Sequence, residues 1–126
     1  MKKLITSDEY LYDSDYIFGM ANLSMKRTGL SVIIWSDHGV AARNKKDKRP
    51  RFKVGTNDDQ VSVSLDTFDI LAQPPNIKKS VMNNILVGIE YVKRNADLFR
   101  KHYYDLDESF DDEDLYNALR ERGEYK

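Results

Sequence analysis

The chain has 126 residues, a formal net charge of −1 and 40% hydrophobic residues, which is typical of a single globular domain. It contains no cysteine, so a disulfide framework and a thiolate metal site are both excluded. No segment approaches the roughly 20 apolar residues of a membrane span, and residues 1–9 lack the apolar run of a signal peptide, so we expect a cytoplasmic protein.

Charge is unevenly distributed along the chain. Residues 1–56 carry 11 basic and 6 acidic side chains, whereas residues 57–126 carry 9 basic and 15 acidic ones. This asymmetry is typical of a protein that contacts a nucleic acid or an acidic partner at one end. In a folded domain the two halves can equally interleave and cancel, and the sequence leaves both outcomes open.

The first 24 residues are interpreted as an aromatic N-terminal arm. The stretch from Tyr10 to Met20 is rich in aromatic residues but follows neither a period of 2 nor one of 3.6. It is therefore either a short helix or an arm packed on the body of the domain. The candidate protein-binding residues in this arm are Tyr10, Tyr12, Tyr16 and Phe18.

The core of the domain, residues 25–104, begins with a predicted strand. Leu30–Trp35 is a run of β-branched and aromatic residues of strand length. The following Asp37-His38-Gly39 is typical of a turn, because glycine supplies the backbone freedom that a turn needs.

Two further strands are predicted to form an antiparallel hairpin. Arg51–Thr56 alternates polar and apolar residues, which places Phe52 inward and Arg51 and Lys53 outward. Val61–Leu65 alternates in the same way, and a short polar turn joins the two segments. Phe68, Ile70 and Leu71 can extend the sheet before Pro74 and Pro75 end it.

The principal helix is predicted over Ile77–Lys93. Its apolar residues recur at spacings of three and four, and Asn76 is well placed to cap it. Gly88 inside this helix costs about 1 kcal/mol relative to alanine, a cost that close packing against the sheet would offset. Asn95 can interrupt the helix, and Ala96–Tyr104 follows as a second helical stretch.

The C-terminal segment, residues 105–126, is predicted to be an acidic tail with a short closing helix that ends at Gly123. Its run of carboxylates between Asp105 and Asp114 has two interpretations. The favoured one is a solvated helix start, and the alternative is a surface that covers the basic stretch or engages a basic partner.

The stretch that connects the first two predicted strands is the most distinctive feature of the sequence. It holds seven positive side chains and one carboxylate, that of Asp47. A lysine-rich connection can simply face water and protect a sheet edge. Alternatively, these cations can neutralise several phosphates in salt-sensitive binding, although few aromatic residues lie nearby to stack with single-stranded bases. The candidate nucleic-acid or partner-binding residues are Arg43, Lys45, Lys46, Lys48, Arg49, Arg51 and Lys53.

Catalytic chemistry has little support in the sequence. The two histidines, His38 and His102, are isolated from other metal-ligating residues, so structural roles are favoured for both. No serine lies in a Gly-x-Ser-x-Gly elbow and no phosphate-binding loop is present. We predict no catalytic residue, no metal site and no cofactor, and retain a metal-free ribonuclease with His38 as general base as one alternative.

Residues 26–104 resemble a family of small bacterial proteins of unknown function, the domain family numbered 4160. The resemblance depends on the order of five segments: Gly29–Trp35, Asp37–Gly39, Pro50–Val54, Val61–Leu65 and Ile89–Phe99. Many members carry a His-x-His sequence where this chain has Arg51-Phe-Lys53, so a histidine-dependent role is in doubt here. The resemblance implies a small protein that acts through a partner, often in gene pairs of the toxin–antitoxin kind.

Together these patterns predict one α+β domain, with a three- or four-stranded antiparallel sheet packed by one long helix and followed by a short C-terminal helix. The functional hypothesis is a non-enzymatic binding or regulatory protein of bacterial or mobile-element origin. Its partner is a nucleic acid or an acidic protein bound through the basic stretch. An alternative is an antitoxin-like or inhibitor protein that binds another protein through the aromatic arm or the acidic tail.

Overall fold

The structure is a computed structural model that describes residues 20–39 and 49–126. The strands are β1 (Met20–Leu23), β2 (Ile33–Asp37), β3 (Arg51–Gly55), β4 (Gln60–Ser64) and β5 (Ile70–Ala72). The helices are α1 (Met25–Thr28), α2 (Lys79–Arg94), α3 (Ala96–Tyr103) and α4 (Asp112–Glu121). Within these two ranges, no helix is long and apolar enough to cross a membrane.

The strands form one antiparallel sheet in the order β1-β2-β3-β4-β5, so every strand pairs with its neighbour in sequence. The predicted α+β class and the β3–β4 hairpin are therefore confirmed. The sheet has five strands where the sequence predicted three or four. The additional strand, β1, lies at the end of the predicted arm, and its four residues are too few for their alternation to be recognised.

The core lies between one face of the sheet and the helices. The buried strand residues include Ile34, Phe52 and Val54, and α2 lies over β3 while α3 lies over β2. A Cβ atom on Gly88 would lie 2.7 Å from Val54 Cγ2 and 2.8 Å from Val32 Cγ2. The close approach of the helix to the sheet, expected from this glycine, is confirmed.

The principal helix begins at Lys79 and ends at Arg94, whereas the sequence predicted Ile77–Lys93. Asn76 does not cap α2, because it has a φ of 62°, a left-handed conformation that asparagine tolerates better than most residues. Lys78 is the N-cap and makes no side-chain capping hydrogen bond. Asn95 separates α2 from α3, as expected.

The acidic C-terminal segment contains the expected solvated helix start, because Asp111, Glu113 and Asp114 are exposed at the beginning of α4. The rest of the segment packs into the domain, and Asp105 is buried. Leu115 and Leu119 of α4 are fully buried. The hydroxyl of Tyr116 accepts a hydrogen bond of 3.0 Å from the backbone N–H of Asn22 in β1. Asp111 and Asp114 form a capping box at the start of α4, so these two carboxylates stabilise the helix end.

Candidate functional site

The basic surface, defined as the seven cations between Arg43 and Lys53, lies in and next to the connection from β2 to β3. Arg43, Lys45, Lys46 and Lys48 fall outside the described residues, as do the arm residues Tyr10, Tyr12, Tyr16 and Phe18. Arg49 is exposed, and Arg51 and Lys53 are half-buried on the face of β3 that points away from the core. Phe52 between them is 2% exposed, so the predicted phasing of this strand is confirmed.

Both ends of the connection that carries the basic surface are held near α3. At the first end, a Cβ atom on Gly39 would overlap the backbone carbonyl oxygens of Tyr103 and Asp105, so this approach requires glycine. At the second end, the carbonyl of Pro50 accepts a hydrogen bond of 2.9 Å from the N–H of Leu65. The described residues on either side of the connection, Gly39 and Pro50, are therefore both fixed in the folded domain.

Leu65 is in turn fixed by a side chain of α3. Arg100 donates from Nε and from Nη2 to the carbonyl oxygen of Leu65, at 3.1 and 3.0 Å. Hydrogen bonds that involve a charged group are stronger than those between neutral groups. The guanidinium therefore links α3 to the segment after β4 that holds Pro50.

A buried hydrogen bond between a histidine and a carboxylate fixes the first end more firmly. His38 is 4% exposed and Asp105 is 7% exposed, and His38 Nε2 lies 2.6 Å from Asp105 Oδ2. An ionised carboxylate only accepts hydrogen bonds, so Nε2 carries the proton and donates it. The pair joins the end of β2 to the chain that follows α3.

Asp105 collects hydrogen bonds from three other donors. Its Oδ1 accepts from the N–H and the hydroxyl of Ser109 at 3.1 and 2.9 Å, and its Oδ2 accepts from the N–H of Phe110 at 2.9 Å. Desolvation acts to raise the pKa of Asp105, but the hydrogen bonds from His38, Phe110 and Ser109 outweigh it and hold this pKa well below its usual range. Asp105 is therefore ionised. It is buried in a network of hydrogen bonds that holds the fold together, unlike the solvated carboxylates of the acidic segment.

A second buried histidine lies beside the first. The rings of His38 and His102 are 5.3 Å apart, edge to face, and His102 is fully buried. Its Nε2 lies 2.6 Å from Oδ1 of Asp112, and its Nδ1 lies 2.9 Å from the hydroxyl of Ser36. We call Ser36, His38, His102, Asp105 and Asp112 the histidine cluster.

The hydrogen-bonded side chains of Ser36, His102 and Asp112 are of the residue types found in a serine–histidine–carboxylate catalytic triad. Ser36 is 2% exposed and His102 is fully buried, so a substrate carbonyl has no approach to the Ser36 oxygen in this conformation. Nε2 of His38 is likewise engaged by Asp105. The histidine cluster satisfies the hydrogen-bonding needs of its own buried polar groups. It also holds β2, α3 and the start of α4 together.

Sequence reasoning treated His38 and His102 as isolated and did not detect the histidine cluster. His38 and Asp105 are 67 residues apart in sequence, and no local periodicity reveals a contact over such a separation. The hydrogen bonds that Asp105 accepts from Ser109, four residues later, are typical of an aspartate that organises a turn, but they become visible only in the structure.

Comparisons with protein-family models, with curated proteins and with solved structures found no match to this chain.

Proposed function

We propose that this protein is a non-enzymatic binding protein whose basic surface contacts the phosphate backbone of a nucleic acid. The observation that carries the proposal is the placement of Arg51 and Lys53 on the outward face of β3, next to the exposed Arg49. Residues two apart on a strand are about 7 Å apart along it. Cations arranged in this way on a paired strand support contact with more than one phosphate at once.

The anchoring of the connection supports the same proposal. Ordering of chain residues on binding costs free energy. Because Gly39 and Pro50 are already held against the α3 side of the domain, less of this cost remains for the ends of the basic surface.

The surroundings of His38 favour a non-enzymatic role over the ribonuclease alternative. A general base needs to reach the proton that it abstracts, whereas His38 is 4% exposed and donates to Asp105. A His38→Ala variant that lost a measured cleavage activity, while keeping its fold, would restore the alternative.

The packing of the acidic segment weighs against its use as a free docking tail. Asp105 and Phe110 are buried and α4 contributes Leu115 and Leu119 to the core, so much of the segment stabilises the fold. Binding of a protein partner through the aromatic arm, the toxin–antitoxin context and the resemblance to family 4160 stay predictions.

The test is nucleic-acid binding by a charge-reversal variant and by a matched control. The test variant is Arg49→Glu, Arg51→Glu, Lys53→Glu. The control is Lys78→Glu, Lys79→Glu, Lys93→Glu, which changes the net charge by the same amount. These three exposed lysines lie at the N-cap of α2 or within it, on the other side of the sheet. We expect fluorescence anisotropy with labelled RNA and DNA to show weaker binding for the test variant only.

Two outcomes contradict the proposal. Equal losses in both triple variants would show that net charge, and not the basic surface, controls binding. Retention of full affinity by the test variant would show that the nucleic acid binds elsewhere. Salt dependence gives a further check, because phosphate contacts weaken steeply between about 50 and 200 mM salt.

A further inference from the structure

The outward face of the sheet carries a concavity that shares Lys53 with the basic surface. It has a volume of about 450 Å³ and is lined by residues that include Lys53, Asp58, Gln60, Ser62, Ala72 and Gln73. Small-molecule sites typically have volumes of about 300–1,000 Å³. The concavity is therefore large enough for a nucleobase or a nucleoside.

The sheet register explains how the floor of the concavity forms. Lys53 of β3 pairs with Ser62 of β4, and Ser62 pairs with Ala72 of β5. These three residues form a row across the sheet, about 10 Å from end to end at the usual strand spacing. Ser62 and Ala72 have small side chains, so the floor is low between Lys53 and the chain after β5.

Most of the lining residues are polar, although the exposed lining surface is divided almost evenly between polar and apolar atoms. Within the described residues, the side chains of Asn57, Gln60, Ser62 and Gln73 form no hydrogen bond to other protein atoms. An amide side chain offers both donors and an acceptor, the combination that reads the edges of bases. Asp58 adds a negative charge to the lining, which favours an uncharged polar group over a phosphate inside the concavity.

We infer that the concavity receives an unpaired base of a single-stranded nucleic acid while its phosphates lie along Arg49, Arg51 and Lys53. This inference rests on the proposed function and specifies its ligand. In a duplex the bases are stacked and paired, so a whole base cannot enter a recess of this size. Trp35, the cross-strand neighbour of Lys53, is buried, so recognition of the base depends on hydrogen bonds from the lining rather than on stacking.

The experiment measures the binding of short labelled homopolymers of adenylate, cytidylate and uridylate, and of a mixed duplex. We expect the protein to prefer one homopolymer by about fivefold or more, as amide contacts to a base typically provide. The variant Gln60→Ala, Gln73→Ala should lose this preference and keep its affinity for the duplex. The control Asn83→Ala, Asn84→Ala removes two exposed amides of α2 and should keep the preference.

The outcomes separate the inference from the proposed function. If every probe binds with equal affinity, or if the preference survives in the Gln60 and Gln73 variant, the inference is wrong and the proposed function stands. If no probe binds, or if binding is insensitive to the Arg49, Arg51, Lys53 charge reversal, the proposed function itself fails. Loss of preference in the control variant as well would also contradict the concavity as the site of base recognition.

Discussion

The imidazole of His38 donates to the carboxylate of Asp105 across 2.6 Å, and this hydrogen bond links the end of β2 to the segment between α3 and α4. Both partners are buried. The basic half of the chain and its acidic half therefore meet at this point in the fold, beside the glycine that begins the connection to the basic surface.

We expect His38→Ala and Asp105→Ala to destabilise the protein in a strongly non-additive way. Removal of one partner leaves the other buried without its hydrogen bond. Asp105→Ala should lower the thermal midpoint more than His38→Ala, because the carboxylate also accepts from Ser109 and Phe110. A double-mutant cycle measured by denaturant unfolding checks the coupling, and additive losses would show that the two side chains act independently.

The depressed pKa of Asp105 predicts loss of stability in acid. A carboxyl group with a lower pKa in the folded state stabilises the protein above its unfolded pKa of about 4. That contribution is lost as the pH falls from about 4 toward the pKa of the folded protein. The free energy of unfolding of the wild type, measured against pH, should decline over this range. Asp105→Asn should be less stable at neutral pH and should show a shallower decline, whereas equal slopes would assign acid sensitivity to other carboxylates.

Gly88→Ala should destabilise the protein although alanine is the better helix former. The gain in helix propensity is about 1 kcal/mol, whereas overpacking typically costs about 1–3 kcal/mol. The new methyl group would lie under 3.0 Å from side-chain atoms of both Val32 and Val54, and β-branched side chains have few rotamers to relieve the overlap. Asn84→Ala, at an exposed position of the same helix, should be neutral or slightly stabilising. Urea unfolding distinguishes the two variants, and a more stable Gly88→Ala would show that the helix can move away from the sheet.

The fold was largely predictable where local periodicity determines it. Phe52 between Arg51 and Lys53 defines the phase of β3, and the apolar spacing of α2 identifies its buried face. The edge strand β1 was not detected, because only Ala21 and Leu23 provide its inward pattern. Asn76 was assigned a capping role from residue type alone, and its left-handed backbone is set by the chain around it.

The candidate site was less predictable, for a physical reason. The histidine cluster unites residues from β2, α3 and the chain up to α4, and its members become neighbours only when the helices pack on the sheet. A carboxylate such as Asp105 has the same local sequence signal whether it is solvated or buried. The concavity depends on the register of three strands, which residue composition does not specify.

Tyr116 should ionise at unusually high pH. Burial raises its pKa to about 12, although the backbone hydrogen bond to Asn22 acts in the opposite direction. An unfolded tyrosine has a pKa of about 10, so this group favours unfolding progressively as the pH rises from about 10 to 12. Tyr116→Phe should remove this part of the alkaline instability. The difference between the phenolate absorbance titrations of wild type and variant checks the assignment, and a difference centred near pH 10 would contradict it.

Single substitutions in the basic surface should reduce the salt dependence of nucleic-acid binding by a definite amount. Each phosphate contact contributes about 0.7 to the slope of log affinity against log salt for single strands and about 0.9 for duplex DNA. Arg49→Ala, Arg51→Ala and Lys53→Ala should each lower the magnitude of the slope by about one contact, and the three losses should add. Lys79→Ala and Lys93→Ala, at exposed positions on α2, should leave the slope unchanged. A slope that falls equally for substitutions on β3 and on α2 would mean that the protein attracts the nucleic acid through its overall field rather than through contacts at the basic surface.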